Sequence, residues 1–141
     1  MNILMINATM KKGKSYTIGR ALIDRIAGEE RKRPAVLLEV NASGEASKAG
    51  VPVAELEPFA RRAAACANLD FRGFMTMAPF DAEPVKIAAI FELLRLTRDE
   101  LEAKLGRELP ELSMGMSGDY EIAARHGSTI VRVGTLIFGT R

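Results

Sequence analysis

Short apolar runs that end in Gly, Ser, Thr or Asn alternate along this chain with longer stretches whose apolar residues recur at helical spacing. That alternation is the signature of βα units. The first run, Ile3–Ile6, leads through a polar loop into a helix with Ile18, Leu22 and Ile26 on one face, stopped by Gly28. Residues 36–40 read as a second strand, residues 41–50 as a turn-rich loop, and Leu56, Phe59, Ala60 and Ala63 as a helix. A third strand over 73–77 ends at Pro79. A long helix over Pro84–Leu105 starts on a proline suited to a first helical turn, carries a stripe of Val85, Ala88, Ala89, Leu93 and Leu96, and closes at Gly106. A strand over 112–116, a short helix from Tyr120 and a last strand over 130–133 complete the pattern.

The strands are apolar on both faces, as in parallel sheets covered by helices. Five are too few for an eight-stranded barrel. The pattern therefore predicts a single α/β domain over residues 1–141, a five-stranded parallel sheet with helices on both faces in the flavodoxin-like order 2-1-3-4-5. The alternative is a half TIM barrel completed by dimerisation. Only residues 136–141 follow the last strand, too few for a full covering helix, so a bare patch there would favour a homodimer.

Composition narrows the classes of function. Apolar residues make up 48% and charged ones 27%, which is ordinary for a globular protein. No segment approaches the roughly 20 apolar residues of a membrane span, and no secretory signal is legible at Met1, so the expected compartment is the cytoplasm and no membrane partner is expected. A net charge of +2, two tyrosines and no tryptophan argue against a nucleic-acid partner. Cys66 and His126 are the sole cysteine and histidine, which leaves no disulfide and makes a zinc site unexpected. Cys66, set among alanines, reads as a buried thiol.

Ligands of parallel α/β folds sit where strands end at their carboxyl side. The first such loop holds Thr9, three lysines, Ser15, Tyr16 and Thr17 before a helix start, a composition suited to a phosphate-bearing small molecule. It lacks the Walker spacing, and an exposed loop with a capping hydroxyl explains it as well. The fourth and fifth strands end in Ser117-Gly118 and Gly134-Thr135, whose hydroxyls and glycines suit a phosphate or simply tight turns, and the turns at 127–129 and Gly139 add flexibility. Arg132 interrupts a buried strand and should pair with a carboxylate or a ligand. No general base has an identifiable partner, so no catalytic residue is assigned.

Four ordered motifs carry a family resemblance: residues 38–50 (Leu-Glu-Val-Asn-Ala-Ser-Gly-Glu-Ala-Ser-Lys-Ala-Gly), 72–79 (Arg-Gly-Phe-Met-Thr-Met-Ala-Pro), 112–120 (Leu-Ser-Met-Gly-Met-Ser-Gly-Asp-Tyr) and 127–139 (Gly-Ser-Thr-Ile-Val-Arg-Val-Gly-Thr-Leu-Ile-Phe-Gly). From about residue 33 to 141 the chain resembles the pyridoxal-phosphate homeostasis proteins, relatives of the alanine racemase barrel. The resemblance implies that Ser117, Gly134 and Thr135 hold the cofactor phosphate and that Arg132 faces the pyridine ring. It implies too that Leu136 replaces a smaller alanine, and that the family's Schiff-base lysine belongs to a front half of the barrel outside this sequence. In the resemblance Lys48 falls in the loop after the second strand, where it is expected to be solvated or to pair with a phosphate, imine formation with the cofactor being the alternative.

Residues 1–28 instead resemble the opening of flavodoxin-like NADPH-dependent FMN reductases, which implies an FMN phosphate among Thr9, Ser15, Tyr16 and Thr17. The two resemblances together lead to the expectation of a chimera, engineered or recombined, without evolved catalysis, that retains phosphate-binding turns. Binding of pyridoxal phosphate and binding of FMN remain the alternatives.

Overall fold

The computed structural model describes residues 3–6, 33–45 and 48–139. Its elements are β1 (Ile3–Ile6), β2 (Ala35–Asn41), β3 (Val51–Pro52), α1 (Leu56–Ala65), β4 (Asp70–Met75), α2 (Pro84–Leu105), β5 (Glu111–Met116), α3 (Tyr120–Arg125), β6 (Ile130–Arg132) and α4 (Thr135–Phe138). Five strands make one parallel sheet, as the apolar runs predict, and the two-residue β3 pairs with the end of β2.

The order is where expectation and structure part. The strands follow one another as β1-β2-β4-β5-β6, not as 2-1-3-4-5. A flavodoxin-like order would flank β1 on both sides, whereas β1 pairs with β2, and β2 pairs onward with β4. Right-handed crossovers that always step in one direction place their helices on one face, which is how a barrel is built. Accordingly Leu56 and Ala60 of α1, Ile87, Phe91 and Leu94 of α2 and Ala123 of α3 share one cluster with Val36, Leu38 and Val40 of β2. The described residues thus form the half-barrel arrangement rather than a sheet wound on both sides.

The long helix spans the expected residues but buries a different stripe. Ile87, Ile90, Phe91, Leu94 and Leu101 face the sheet, and Val85, Leu93 and Leu96 face solvent. Both stripes are apolar at period 3.6, so sequence periodicity cannot choose between them. The bulk of Phe91, fully buried, falls on the winning side.

Strand β4 begins three residues before the expected start, because a bulge lies inside it. Val36 pairs with Phe71 and Leu37 with Gly73, so Arg72 is the extra residue. Strict alternation would send Phe71 and Phe74 to opposite faces. The bulge turns both into the helix-side core, where their rings meet edge to face at 5.6 Å. Gly73 sits at φ +147°, and a Cβ there would fall 1.9 Å from the Glu111 carbonyl oxygen. The displaced Arg72 reaches Glu111 at 3.2 Å and Asp70 at 3.4 Å. Arg107 donates to the Phe71 carbonyl at 3.0 Å.

Val131 of β6 and Leu136, Ile137 and Phe138 of α4 are exposed. Cys66 is half-buried rather than enclosed. No helix of the described residues is long and apolar enough to cross a membrane.

Two outcomes follow from this architecture. Gly73→Ala should lower the unfolding free energy by roughly 3 kcal/mol in urea titration, since neither the backbone angle nor the Glu111 carbonyl can accommodate a methyl group; an unchanged midpoint would contradict the bulge. On the outer face, Glu92 accepts from Arg95 at 2.6 Å and lies 3.0 Å from His126 Nδ1, which lowers its carboxyl to about 2. A depressed carboxyl stabilises the fold above its unfolded value, and that contribution fades as pH falls from 4.5 toward about 2. Glu92→Gln should flatten the acid limb of stability over that window, measured by thermal unfolding at successive pH values.

Candidate functional site

The carboxyl ends of β2, β4, β5 and β6 all point the same way because the sheet is parallel, and the residues singled out in the later strands gather there. After β5 the chain turns through Ser117, Gly118 and Asp119 into α3. Asp119, buried at this turn, accepts from the Met116 amide at 2.5 Å. The turn can lie close because Gly115, at φ +92°, packs under α3; a Cβ would come within 2.6 Å of the Ala123 methyl carbon.

Ser117 Oγ accepts a hydrogen bond from the Gly134 amide at 3.1 Å and a longer one from the Leu136 amide at 3.5 Å. The two turns are therefore joined, as the sequence pairing of Ser117 with Gly134-Thr135 requires. Around them there is room: a Cβ at Gly118 or Gly134 would meet nothing within 4 Å. The Thr135 hydroxyl has no hydrogen-bond partner among the described residues. Leu136 is 59% exposed and does not crowd the turn.

β6 is not the buried strand the sequence suggests, since Ile130 and Arg132 are half-buried and Val131 is exposed, and the direct partners of Arg132 are not carboxylates. Its guanidinium crosses β5, donating from Nη1 to the Ser113 carbonyl at 3.1 Å and to Ser113 Oγ at 2.6 Å, and from Nη2 to the Thr76 carbonyl at 3.0 Å. Thr76 is itself anchored, its hydroxyl donating to the Val40 carbonyl at 2.8 Å. Burial pushes the Arg132 guanidinium below its ordinary value, while Asp119 and Glu39 act on it through space in the opposite sense. An arginine stays charged under such a shift.

Glu39 was not singled out by sequence reasoning, although a Glu inside an apolar strand was the available signal. It alternates away from Val36, Leu38 and Val40, onto the face opposite the helices, and pairs across the sheet with Met75. Burial raises its carboxyl above the usual range against the attraction of Arg132.

The turn at 127–129 does not join this site. It precedes β6 and so lies at the opposite end of the sheet, where Ser128 Oγ donates to the Met114 carbonyl at 2.7 Å and Thr129 Oγ1 donates to Glu111 at 2.7 Å. These hydroxyls fasten strands together. Thr9, Ser15, Tyr16 and Thr17 lie outside the described residues. Among the described residues no group of three His, Cys, Asp or Glu side chains is placed to hold a metal ion.

A one-sided stack of parallel βα units with polar turns at the carboxyl ends of its strands defines a barrel-derived α/β class of domain. The alanine racemase N-terminal domain family matches residues 20–141, and the chain belongs to that family. Among similar proteins, the pyridoxal phosphate homeostasis protein of Aquifex aeolicus is 43% identical over 106 residues, covering 75% of this chain and 46% of the relative. That of Vibrio alginolyticus is 40% identical over 130 residues, covering 89% of this chain and 55% of the relative. The structure of PipY from Synechococcus elongatus with pyridoxal phosphate bound superposes with a TM-score of 0.80 at 28% identity, over 99% of this chain and 61% of that one. The chain thus spans about half the length of the curated relatives it matches.

These likenesses overturn the chimera. The family match begins at residue 20, within the segment read as reductase-like, and the PipY superposition takes in nearly the whole chain. Nothing supports a flavodoxin-like portion, an FMN site or an engineered scaffold without evolved function. The misreading came from a single short loop whose small and hydroxyl residues suit many phosphate-handling folds.

Glu39 offers a direct check on this buried network. Because its folded value is raised, its ionisation costs stability as pH climbs from 4.5 through that raised value. Glu39→Gln should remove this downward slope, so that urea midpoints of variant and parent converge at low pH and the variant is the more stable near neutrality.

Proposed function

We propose that this chain binds pyridoxal phosphate at the carboxyl end of its sheet, with Ser117, Gly134 and Thr135 at the phosphate and Arg132 facing the pyridine ring. The observation that carries this reading is the convergence of Ser117 Oγ with the Gly134 and Leu136 amides, next to the unpartnered Thr135 hydroxyl. A phosphate accepts hydrogen bonds from such donors, and displacing the Ser117 contact would free two amides for it. The relatives named above support the choice of ligand, two by their names and one by the cofactor in its structure.

The residues fit the group in charge as well as shape. Arg132 keeps Nε–H without a partner among the described residues, and its other bonds to Ser113 and Thr76 hold the guanidinium in place, so the cation is ready before any ligand arrives. Bound there, the cofactor would supply an aldehyde carbon able to accept electrons from an amine. The chain's own part is to hold the phosphate, orient the ring and set the charge beside it.

Titration of the full chain with pyridoxal phosphate, followed by absorbance, should give saturable binding. Ser117→Ala should weaken it about tenfold, the loss of one hydrogen bond to a charged group. Arg132→Met should weaken it and alter the bound spectrum, while Ser128→Ala, at the far end of the sheet, should bind as the parent does. Equal affinity in the parent and Ser117→Ala would refute the assignment.

A further inference from the structure

Thr76 stands one residue beyond β4, and its backbone and side chain reach three other strands. Its amide donates to the Ser113 carbonyl of β5 at 3.1 Å. Its hydroxyl donates to the Val40 carbonyl of β2 at 2.8 Å, and its own carbonyl accepts from Arg132 Nη2 of β6 at 3.0 Å. Thr76 and Val40 are each 1% exposed, so water does not compete for these bonds. One residue thereby ties β2, β4, β5 and β6 together toward the carboxyl side of the sheet.

The hydroxyl is the part of this arrangement that strand pairing alone does not supply. A valine would keep the branched shape at position 76 but would take this donor from the Val40 carbonyl in a place that water does not reach. A serine would keep the donor. The carbonyl that receives Arg132 belongs to the same residue, so a displacement of Thr76 away from β2 moves the acceptor of the guanidinium with it. The second hold on Arg132 leads to the same place: Nη1 donates to the carbonyl and Oγ of Ser113, and that carbonyl also accepts from the Thr76 amide. All these acceptors are neutral, so they fix where the cation lies without cancelling its charge.

We propose that Thr76 is a positioning residue: its hydroxyl, held by β2, sets where the Arg132 guanidinium lies, and through Arg132 it sets how tightly the pyridine ring is held. The inference deepens the pyridoxal phosphate assignment and rests on it for the ligand, whereas the chain of bonds from Val40 to Arg132 belongs to the protein without ligand. Thr76 acts through Arg132 and is not counted among the groups that touch the ligand. A hydroxyl that only strapped strands together, as that of Ser128 does at the far end of the sheet, would change stability and leave the guanidinium and the ligand alone.

The test uses the full chain with isotope-labelled arginine, in which NMR reads the rotation of each guanidinium about its Nε–Cζ bond; the Arg132 signal is the one lost in Arg132→Met. In the parent without ligand, the Arg132 guanidinium should rotate about tenfold more slowly than that of Arg125, whose side chain is 76% exposed. Thr76→Val should speed that rotation severalfold, and Thr76→Ser should not. With pyridoxal phosphate added, Thr76→Val should weaken binding about fivefold, the share of one neutral hydrogen bond, and displace the bound absorbance in the same sense as Arg132→Met. Thr76→Ser should restore both. In the Arg132→Met background Thr76→Val should add no further loss, because the two changes act through one group. A parent Arg132 as free as Arg125, a Thr76→Val chain that matches the parent in rotation and affinity, or a full additional loss in the Arg132→Met background would overturn the inference. Failure of the parent to bind pyridoxal phosphate would sink the ligand assignment, while the rotation of Arg132 would still decide whether Thr76 positions it.

Discussion

The arrangement at the carboxyl end of the sheet depends on one extra residue in β4. Without the bulge at Arg72, Phe71 and Phe74 would lie on opposite faces, one of them among Glu39, Ser113 and Arg132. The bulge returns both rings to the helix side and leaves Met75 and Ser113 beside Glu39 on the other. Thr76 then follows at a position where its carbonyl can receive the Arg132 guanidinium. A backbone irregularity that only glycine tolerates thereby sets the side-chain alternation of a whole strand, and with it the chemistry of the opposite face.

A second irregularity does similar work on β5. Ser113 pairs with Ile130 and Met116 with Arg132, three residues against two. Met114 stays in the helix-side core, Gly115 passes beneath α3, and Ser117 emerges close enough to accept from the Gly134 amide. The site is therefore assembled by the sheet's departures from regularity. Its polar groups are held by strands, while the loops contribute amides and hydroxyls.

Charge on the face opposite the helices is sparse and strongly coupled. Arg132 is pinned by neutral oxygens, and Glu39 and Asp119 act on it through space. Asp119 is satisfied by the Met116 amide, whereas Glu39 is not satisfied by any described residue.

Much of this was legible from local chemistry. The period of apolar residues located five parallel strands and the full extent of α2, because strands and helices differ in their repeat and because Pro84 and Gly106 mark its ends. The Ser117 and Gly134-Thr135 turns were recognisable as neighbours, since consecutive parallel strands end on the same side of the sheet. Strand order was not legible: β1 beside β2 alone, or between two strands, satisfies the same apolar pattern. Nor was the buried stripe of α2, where two apolar faces compete and packing volume decides. The bulge at Arg72, the removal of residues 127–129 to the far end, and the meeting of Glu39 with Arg132 across intervening strands depend on register. Register is a relation between distant segments, and tertiary structure alone decides it.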